Sequence, residues 1–294
     1  MSRIYDAIQR ADRERNGLQE LEEPHRAEAP IAPCIADVPE IKSALDLEKI
    51  VHYPWKPLEA SLPTLANVGA SVEQFRGLRA HVDQLRIHAS IKTILVSSGM
   101  PGEGKTFIAA NLALSMARNA LSSILLIDGD LRRGSLHKLL GAPSSPGLTD
   151  YLAGTADLMS IMQRYEVPEN ANAGLARGFS HVTFIPAGIS TDNSCEVVAS
   201  PRMRDLIAGL GPHFDWIVID SPPVLAVTDA VELARSADAV LLVARGAETP
   251  LDTAQHTQAA FSNSRILGFV LNAVKEVPRH SYSYYYGGEA GQRQ

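Results

Sequence analysis

The chain has 294 residues, of which 45% are hydrophobic and 20% charged, with a formal net charge of −6 at pH 7. These values fit a globular protein of one large or two small domains, and they argue against a nucleic-acid partner. No apolar run approaches the roughly 18 to 20 residues that cross a bilayer, and the start lacks a signal-peptide core. Cys34 and Cys195 show no motif spacing, so we expect reduced thiols in a cytoplasmic protein.

Residues 1–66 differ in composition from the rest, because they hold seven of the 18 prolines and show no clear strand. Within residues 3–15, Ile4, Ile8 and Ala11 share one helical face. They predict a short amphipathic helix that either docks a partner or lies on the protein's own surface. The proline-spaced segment that follows is typical of an extended or disordered linker.

From residue 71 onward, helical and strand patterns alternate. An apolar stripe predicts a helix over 71–88. Runs of Ile, Val and Leu predict strands at 93–97, 123–128, 181–185, 215–220, 239–243 and 266–271. This alternation predicts an α/β fold, a doubly wound and mostly parallel sheet covered on both faces. Residues 164–180 contain Pro168, Gly174 and Gly178 and are predicted to form a surface loop.

A phosphate-binding loop is complete between residues 99 and 106, which read Gly-Met-Pro-Gly-Glu-Gly-Lys-Thr. An apolar strand precedes it and a helical pattern follows, which is the context that this motif requires. Lys105 would reach the β- and γ-phosphates, and the Thr106 hydroxyl would bind Mg²⁺. We therefore predict an ATP–Mg²⁺ site in a P-loop NTPase. Its predicted loop residues are Gly99, Met100, Pro101, Gly102, Glu103, Gly104, Lys105, Thr106 and Phe107.

Aspartates end two further predicted strands. Asp128 ends the strand at 123–128 and Asp130 follows two residues later, and Asp220 ends the strand at 215–220. Because ligands of open parallel sheets bind at the carboxyl ends of the strands, these side chains are expected beside the phosphate loop. Any one of them could instead cap the next helix. We predict Thr106, Asp128 and Asp220 as metal ligands, directly or through water.

These segments resemble the Walker A, A′ and B motifs of bacterial tyrosine kinases, the P-loop autokinases of capsule and exopolysaccharide loci. The segments are Gly99–Thr106, Ile124–Arg132 and Trp216–Pro223. The likeness covers about residues 70–286 and implies a kinase domain over residues 67–278. It implies Lys105, Asp128 and Asp130 as catalytic residues, with Asp128 the best candidate to accept the tyrosine proton. It also implies that Asn272 hydrogen-bonds adenine.

A charged triplet on the first predicted helix of this domain, Glu73, Arg76 and Arg79, resembles the E-x-x-R-x-x-R motif of the family. In the family this motif mediates contacts between subunits, which implies a homo-oligomeric ring. Without the other motifs, a solvated face with internal salt bridges would be the better interpretation.

Half of the eight tyrosines lie within five residues near the C-terminus, at Tyr282, Tyr284, Tyr285 and Tyr286. The resemblance implies that residues 279–294 form a flexible tail whose tyrosines accept phosphate in a neighbouring subunit. An edge strand or an aromatic patch is the structural alternative. Each phosphate would add roughly −1.5 to −2 charge, so accumulated repulsion is expected to loosen the assembly.

The resemblance also implies a partner. The membrane-spanning region fused to some relatives is absent from this sequence, so a separate membrane-spanning chain-length regulator is expected to recruit the cytoplasmic chain to the inner face of the plasma membrane. One departure from the family pattern is the Asn193–Val198 segment, which has Ser194 where relatives commonly have proline.

Two other functions compete with the autokinase. A positioning ATPase of the septum-site or partition type would carry a second lysine, at the position that Met100 holds here. A non-catalytic scaffold would use the loop only to stabilise an oligomer, yet every catalytic position holds the expected residue type. The sequence therefore favours a tyrosine autokinase that acts in trans and regulates exopolysaccharide polymerisation or export.

Overall fold

The computed structural model describes residues 45–118, 122–169, 171 and 173–274. Its centre is an eight-stranded sheet. The strands are β1 (Val51–Tyr53), β2 (Thr93–Ser98), β3 (Ile124–Asp128), β4 (Gln163–Tyr165), β5 (Val182–Ile185), β6 (Trp216–Asp220), β7 (Ala239–Arg245) and β8 (Ile266–Asn272). They lie in the order β1-β4-β5-β3-β6-β2-β7-β8. Only the β4–β5 pair of this sheet is antiparallel.

Helices cover both faces of the sheet. They are α1 (Ala70–His88), α2 (Lys105–Ala117), α3 (Leu136–Leu140), α4 (Leu148–Leu152), α5 (Leu158–Ile161), α6 (Ala173–Phe179), α7 (Ser194–Ala199), α8 (Pro201–Leu210), α9 (Asp229–Ala234) and α10 (Leu251–Ala260). Short 3-10 turns occupy Leu47–Lys49, Glu59–Ser61, Pro63–Leu65 and Gly211–His213. In the described part of the chain, no helix is both long and apolar enough to cross a membrane.

Successive side chains of a strand point to opposite faces of the sheet. Because helices cover both faces, every side chain of a central strand is buried. In β2, Ile94 and Val96 join the core cluster under α1 and α2, whereas Leu95 joins the cluster on the other face. All three are 0% exposed. A strand that is apolar at every position is therefore what this fold requires, and the predicted doubly wound, mostly parallel sheet is confirmed.

Residues 45–66 are part of the folded core, so the prediction of a strandless, extended or disordered linker is wrong for this segment. It supplies β1, and Trp55 and Leu62 are 4% and 0% exposed. The Trp55 ring lies edge-on to Phe179, with 5.7 Å between the ring centroids. Pro63 begins the 3-10 turn Pro63–Leu65, and its neighbours Leu62 and Thr64 are buried. The predicted N-terminal helix, the linker before residue 45 and the tail tyrosines lie outside the described residues.

The prediction of a surface loop over residues 164–180 is also wrong. This segment contains most of β4, which pairs with both β1 and β5, and all of α6. Tyr165 and Phe179 are buried, with ring centroids 5.0 Å apart. Pro168 precedes α6 and Gly178 lies near its end. These residues therefore stand near the boundaries of α6 and do not exclude the segment from the core.

The strand register positions the chemical groups. Asp128 at the end of β3 is aligned with Asp220 at the end of β6. On the other side of β6 lies β2, whose last residue Ser98 leads directly into the phosphate loop. Three adjacent parallel strands therefore present the loop and both carboxylates at one edge of the sheet.

A paired substitution tests whether residues 45–66 belong to the folded unit. Leu62→Ala removes a fully buried side chain and is expected to lower the free energy of unfolding by about 2–5 kcal/mol. Leu58→Ala alters a leucine that is 54% exposed, and its expected effect is below about 1 kcal/mol. Chemical denaturation of both variants measures the difference, and equal effects would contradict a packed segment.

Candidate nucleotide and phosphotransfer site

The phosphate loop turns tightly between β2 and α2. Gly102 and Gly104 have φ of +84° and +96°, in the left-handed region that residues with side chains rarely adopt. A Cβ placed on Gly104 would also lie 2.0 Å from Nδ2 of Asn272. Any side chain at Gly104 would therefore both strain the backbone and push aside the Asn272 side chain.

Two side chains hold the loop from inside the protein. Glu103 is only 4% exposed, accepts a 2.8 Å hydrogen bond from the Met100 N–H and accepts another from the Thr249 hydroxyl. Asn272 Nδ2 donates to the main-chain oxygen of Glu103 at 3.0 Å. The carboxylate of Glu103 thus shapes the loop from behind. In this structure Asn272 braces the loop from β8.

Lys105 and Thr106 begin α2 and face the two carboxylate-bearing strand ends. Thr106 Oγ1 donates to Asp220 Oδ2 at 2.6 Å. Lys105 Nζ lies 3.4 Å from Asp130 Oδ2 and 4.0 Å from Asp220 Oδ1. The Ser135 hydroxyl lies 3.4 Å from that of Thr106. Thr106, Asp130 and Asp220 are therefore brought together with the ammonium group of Lys105.

Asp128 lies deeper than Asp130. It is 0% exposed, and its two oxygens accept hydrogen bonds from the main-chain N–H groups of Asp130 and Leu136, at 3.3 and 3.0 Å. These bonds fix the turn that follows β3. They place Asp130 on the cavity wall, whereas Asp128 stands behind it.

Burial raises the pKa of both strand-end carboxyl groups. The pKa of Asp128 rises to about 8, first because the group is desolvated and then because the carboxylates of Asp220 and Asp130 are near. Burial raises the pKa of Asp220 to about 6, although Lys105 and the Thr106 hydroxyl oppose the rise. Ionising these two carboxyl groups is therefore unfavourable in the ligand-free protein, and a bound cation would favour it.

A cavity of about 550 Å³ opens in front of these groups. One wall consists of phosphate-loop residues (Pro101, Gly102, Gly104, Lys105 and Thr106), and Asp130, Arg132 and Arg133 form another. Two consecutive prolines after β6, Pro222 and Pro223, contribute to the lining. Asn272 is not part of this cavity. It borders a separate cleft of about 460 Å³ between α1 and the end of β8.

The donor set fits a magnesium ion bound with a nucleotide. Asp220 Oδ1 is buried and has no hydrogen-bond partner, although the other oxygen of the same carboxylate binds Thr106. Within the described residues, no three His, Cys, Asp or Glu side chains form a metal cage by themselves. Mg²⁺ needs no such cage, since it takes one or two protein ligands and completes its shell with water and phosphate oxygens.

An unpredicted network holds Arg132 at the cavity rim. Arg132 Nε donates to Asp229 Oδ2 at 3.2 Å, and the Ser194 hydroxyl donates to the same oxygen. Asp229 is 1% exposed and Ser194 is 0% exposed. The sequence marks Ser194 only as a departure from the family pattern. A proline there could not donate this hydrogen bond.

The predicted contact triplet lies on α1, away from the cavity. Glu73 and Arg76 form an ion pair on the surface, and Arg76 also donates to the main-chain oxygen of Asn67. Arg79 instead donates to the main-chain oxygen of Ser115 on α2, at 2.8 Å. Two of the three residues are thus available on the surface, and the third secures α1 to α2.

Two of the predicted loop residues, Phe107 and Met100, have different side-chain environments. The Phe107 ring packs on Phe75, with centroids 5.8 Å apart, and Met100 is 48% exposed.

Sequence reasoning missed Ser135, Arg133 and the Asp229–Ser194 pair. Arg133 and Ser135 closely follow the Ile124–Arg132 motif, whereas Ser194 and Asp229 lie far from it in sequence and no local pattern marks them.

No protein-family model matches the chain. Individual proteins, however, are similar to it in sequence. The chain is 30% identical over 217 residues to the tyrosine-protein kinase YwqD of Bacillus subtilis, covering 73% of this chain and 86% of YwqD. It is 32% identical over 265 residues to the tyrosine-protein kinase ptk of Acinetobacter johnsonii, covering 85% of this chain and 34% of ptk.

The fold agrees with these relatives. The kinase domain of the Escherichia coli tyrosine kinase ETK superposes with a TM-score of 0.66 at 29% identity, over 77% of this chain and 85% of that domain. The chain therefore belongs to the bacterial tyrosine-protein kinase family. It spans only 28–36% of the length of the longer curated relatives that it matches.

The raised carboxyl pKa values predict how stability depends on pH without metal or nucleotide. A carboxyl group with a raised pKa binds its proton more tightly in the folded state, so the free energy of unfolding should fall as pH rises from about 4 to about 8. We expect Asp128→Asn to reduce this fall by at least about 1 kcal/mol. Denaturant titrations at pH 5, 6.5 and 8 measure it, and an identical slope in the variant would contradict the assignment.

Proposed function

We propose that this protein is an ATP-dependent protein-tyrosine kinase that phosphorylates its own C-terminal tyrosine cluster in trans. The observation that carries the proposal is the contact of Thr106 with Asp220 at 2.6 Å, with Lys105 between Asp220 and Asp130. An ammonium, a hydroxyl and buried carboxylates around one cavity form the arrangement that phosphoryl transfer uses to position and neutralise charge.

Each residue has a proposed role. Lys105 binds the transferred phosphate, while Thr106 and Asp220 hold Mg²⁺, directly or through water. When bound, Mg²⁺ offsets negative charge on the phosphates. Asp130 orients Lys105 from the cavity wall. We propose Asp128 as the acceptor of the tyrosine proton, a role implied by the family. Because Asp128 lies behind Asp130 and burial raises its pKa to about 8, this role requires that the turn after β3 opens toward the tyrosine and that a bound cation lowers this pKa.

The acceptors in this proposal are Tyr282, Tyr284, Tyr285 and Tyr286 of a neighbouring copy. Family membership and the composition of this segment, rich in Ser, Gly and Tyr, support the assignment. A ring of copies would hold each tail near the next cavity. We further propose that a membrane-spanning chain-length regulator recruits this ring to the inner face of the plasma membrane, where phosphorylation regulates exopolysaccharide polymerisation or export.

Two full-length variants test phosphorylation in trans. A donor with all four tail tyrosines changed to Phe retains the site but has no acceptor there, whereas Lys105→Met retains the acceptors but loses the phosphate-binding ammonium. With labelled ATP and Mg²⁺, we expect Lys105→Met alone to lose label at least about 100-fold. Adding the donor should restore label on the Lys105→Met chains, at the four tyrosines by mass spectrometry.

Other results would contradict this proposal in different ways. Full label on Lys105→Met alone would exclude the proposed site. Label on wild type without restoration in the mixture would exclude transfer between copies. Hydrolysis of ATP without label on tyrosine would instead indicate a positioning ATPase.

Assembly through α1 can be tested separately. Arg76→Glu replaces one member of the exposed Glu73–Arg76 pair, and we expect it to shift wild-type oligomers to monomers in light scattering. Arg204→Glu is the matched control, an exposed arginine on α8. Arg79 is unsuitable, since its bond to Ser115 also stabilises the fold. An unchanged mass for Arg76→Glu would contradict an α1 interface.

A further inference from the structure

A further cavity of about 500 Å³, distinct from the cleft beside Asn272, adjoins the proposed phosphotransfer site. The two cavities share Arg132 and Arg133 as lining residues. The outer one continues along the turn after β3 and the start of α3, and it includes His137 and Lys138. We call it the basic cavity.

Its charge is opposite to that of the whole chain, whose formal net charge is −6. Arg132, Arg133 and Lys138 line it, and among its described lining residues none is Asp or Glu. Asp229 offsets the charge of Arg132. Within the described ranges, Arg133 and Lys138 form no ion pair with any carboxylate, so roughly two positive charges remain uncompensated.

Neutral polar groups complete the lining. The hydroxyl-bearing residues Ser144 and Ser190 border the cavity, and so does His137. Burial and the neighbouring Lys138 lower the pKa of His137, which favours a neutral imidazole at neutral pH. Arginine, lysine and hydroxyl groups are the donors that bind phosphate monoesters.

The position of the basic cavity indicates which phosphate it would bind. A tyrosine that receives phosphate must enter the neighbouring cavity, and the acceptor segment contains four tyrosines in five residues. In an extended peptide, residues two apart lie about 7 Å apart and point to the same side. A tail with one phosphotyrosine could therefore place that phosphate against Arg133 and Lys138 while another tyrosine enters the site.

We propose that the basic cavity binds a phosphotyrosine already present on the acceptor tail. A first phosphate then strengthens the binding of the same tail, and the cluster is phosphorylated in succession until repulsion among several phosphates outweighs the two cations. This inference rests on the proposed kinase function for its biological meaning, but the binding step can be measured without catalysis.

The binding test uses full-length protein with the four tail tyrosines changed to Phe and Lys105→Met added, so that neither its own tail nor phosphoryl transfer interferes. The probes are synthetic peptides of residues 279–289, one unphosphorylated and one phosphorylated at Tyr284. Fluorescence anisotropy should show about tenfold tighter binding of the phosphopeptide. Lys138→Gln in this background should reduce that preference about threefold or more. Lys49→Gln, which removes an exposed lysine elsewhere, should not.

Three results would overturn the inference. They are equal affinity for the two peptides, a preference that Lys138→Gln leaves intact, and displacement of the phosphopeptide by Mg²⁺–ATP, which would place it in the nucleotide cavity. A kinase assay then compares the two peptides with protein that retains Lys105. A higher kcat/KM for the phosphopeptide, lost in Lys138→Gln, supports successive phosphorylation. Absence of any transfer would contradict the proposed function while leaving the binding result interpretable.

Discussion

The hydrogen bond from Thr106 to Asp220 is the contact on which the site depends, because it joins the start of α2 to the end of β6. It exists only because β2 and β6 are parallel neighbours in register, so that the loop after β2 faces the last residue of β6. The same register aligns Asp220 with Asp128 on β3. Continuously apolar strands hold this arrangement rigid, since a shift of pairing would separate all three groups.

Charge is distributed unevenly around the site. Asp128 and Asp220 are fully buried, and among the described residues the Lys105 ammonium, the Thr106 hydroxyl and main-chain N–H groups oppose their repulsion. Ionising both carboxyl groups is therefore unfavourable in the ligand-free protein, and a cation bound with phosphates would favour it. The arginines at 132 and 133 stand outside this acidic centre. In our proposals, the acidic centre acts on the tyrosine that enters, and the basic cavity binds a phosphotyrosine formed earlier on the same tail.

Sequence reasoning succeeded where a local pattern and the tertiary fold impose the same requirement. All six predicted strands and the helix at 71–88 are present, because buried parallel strands must be apolar throughout. It failed for residues 45–66 and 164–180. There, β1 and β4 are only three residues long and prolines or glycines stand nearby, so no periodicity could distinguish them from loops. Trp55 and Phe179 are separated by more than a hundred residues, and only the tertiary structure shows that their rings pack edge-on.

By itself, the sequence determined the phosphate loop, the strand-terminal aspartates and the kinase family, because these depend on residue types at short fixed spacings. Only the tertiary structure decided that Glu103 braces the loop from behind, that Asp130 reaches the cavity while Asp128 stays behind it, and that Ser194 and Asp229 hold Arg132. The physical reason is that a side chain's partners and burial are set by distant segments that pack around it. Local spacing carries no record of those contacts.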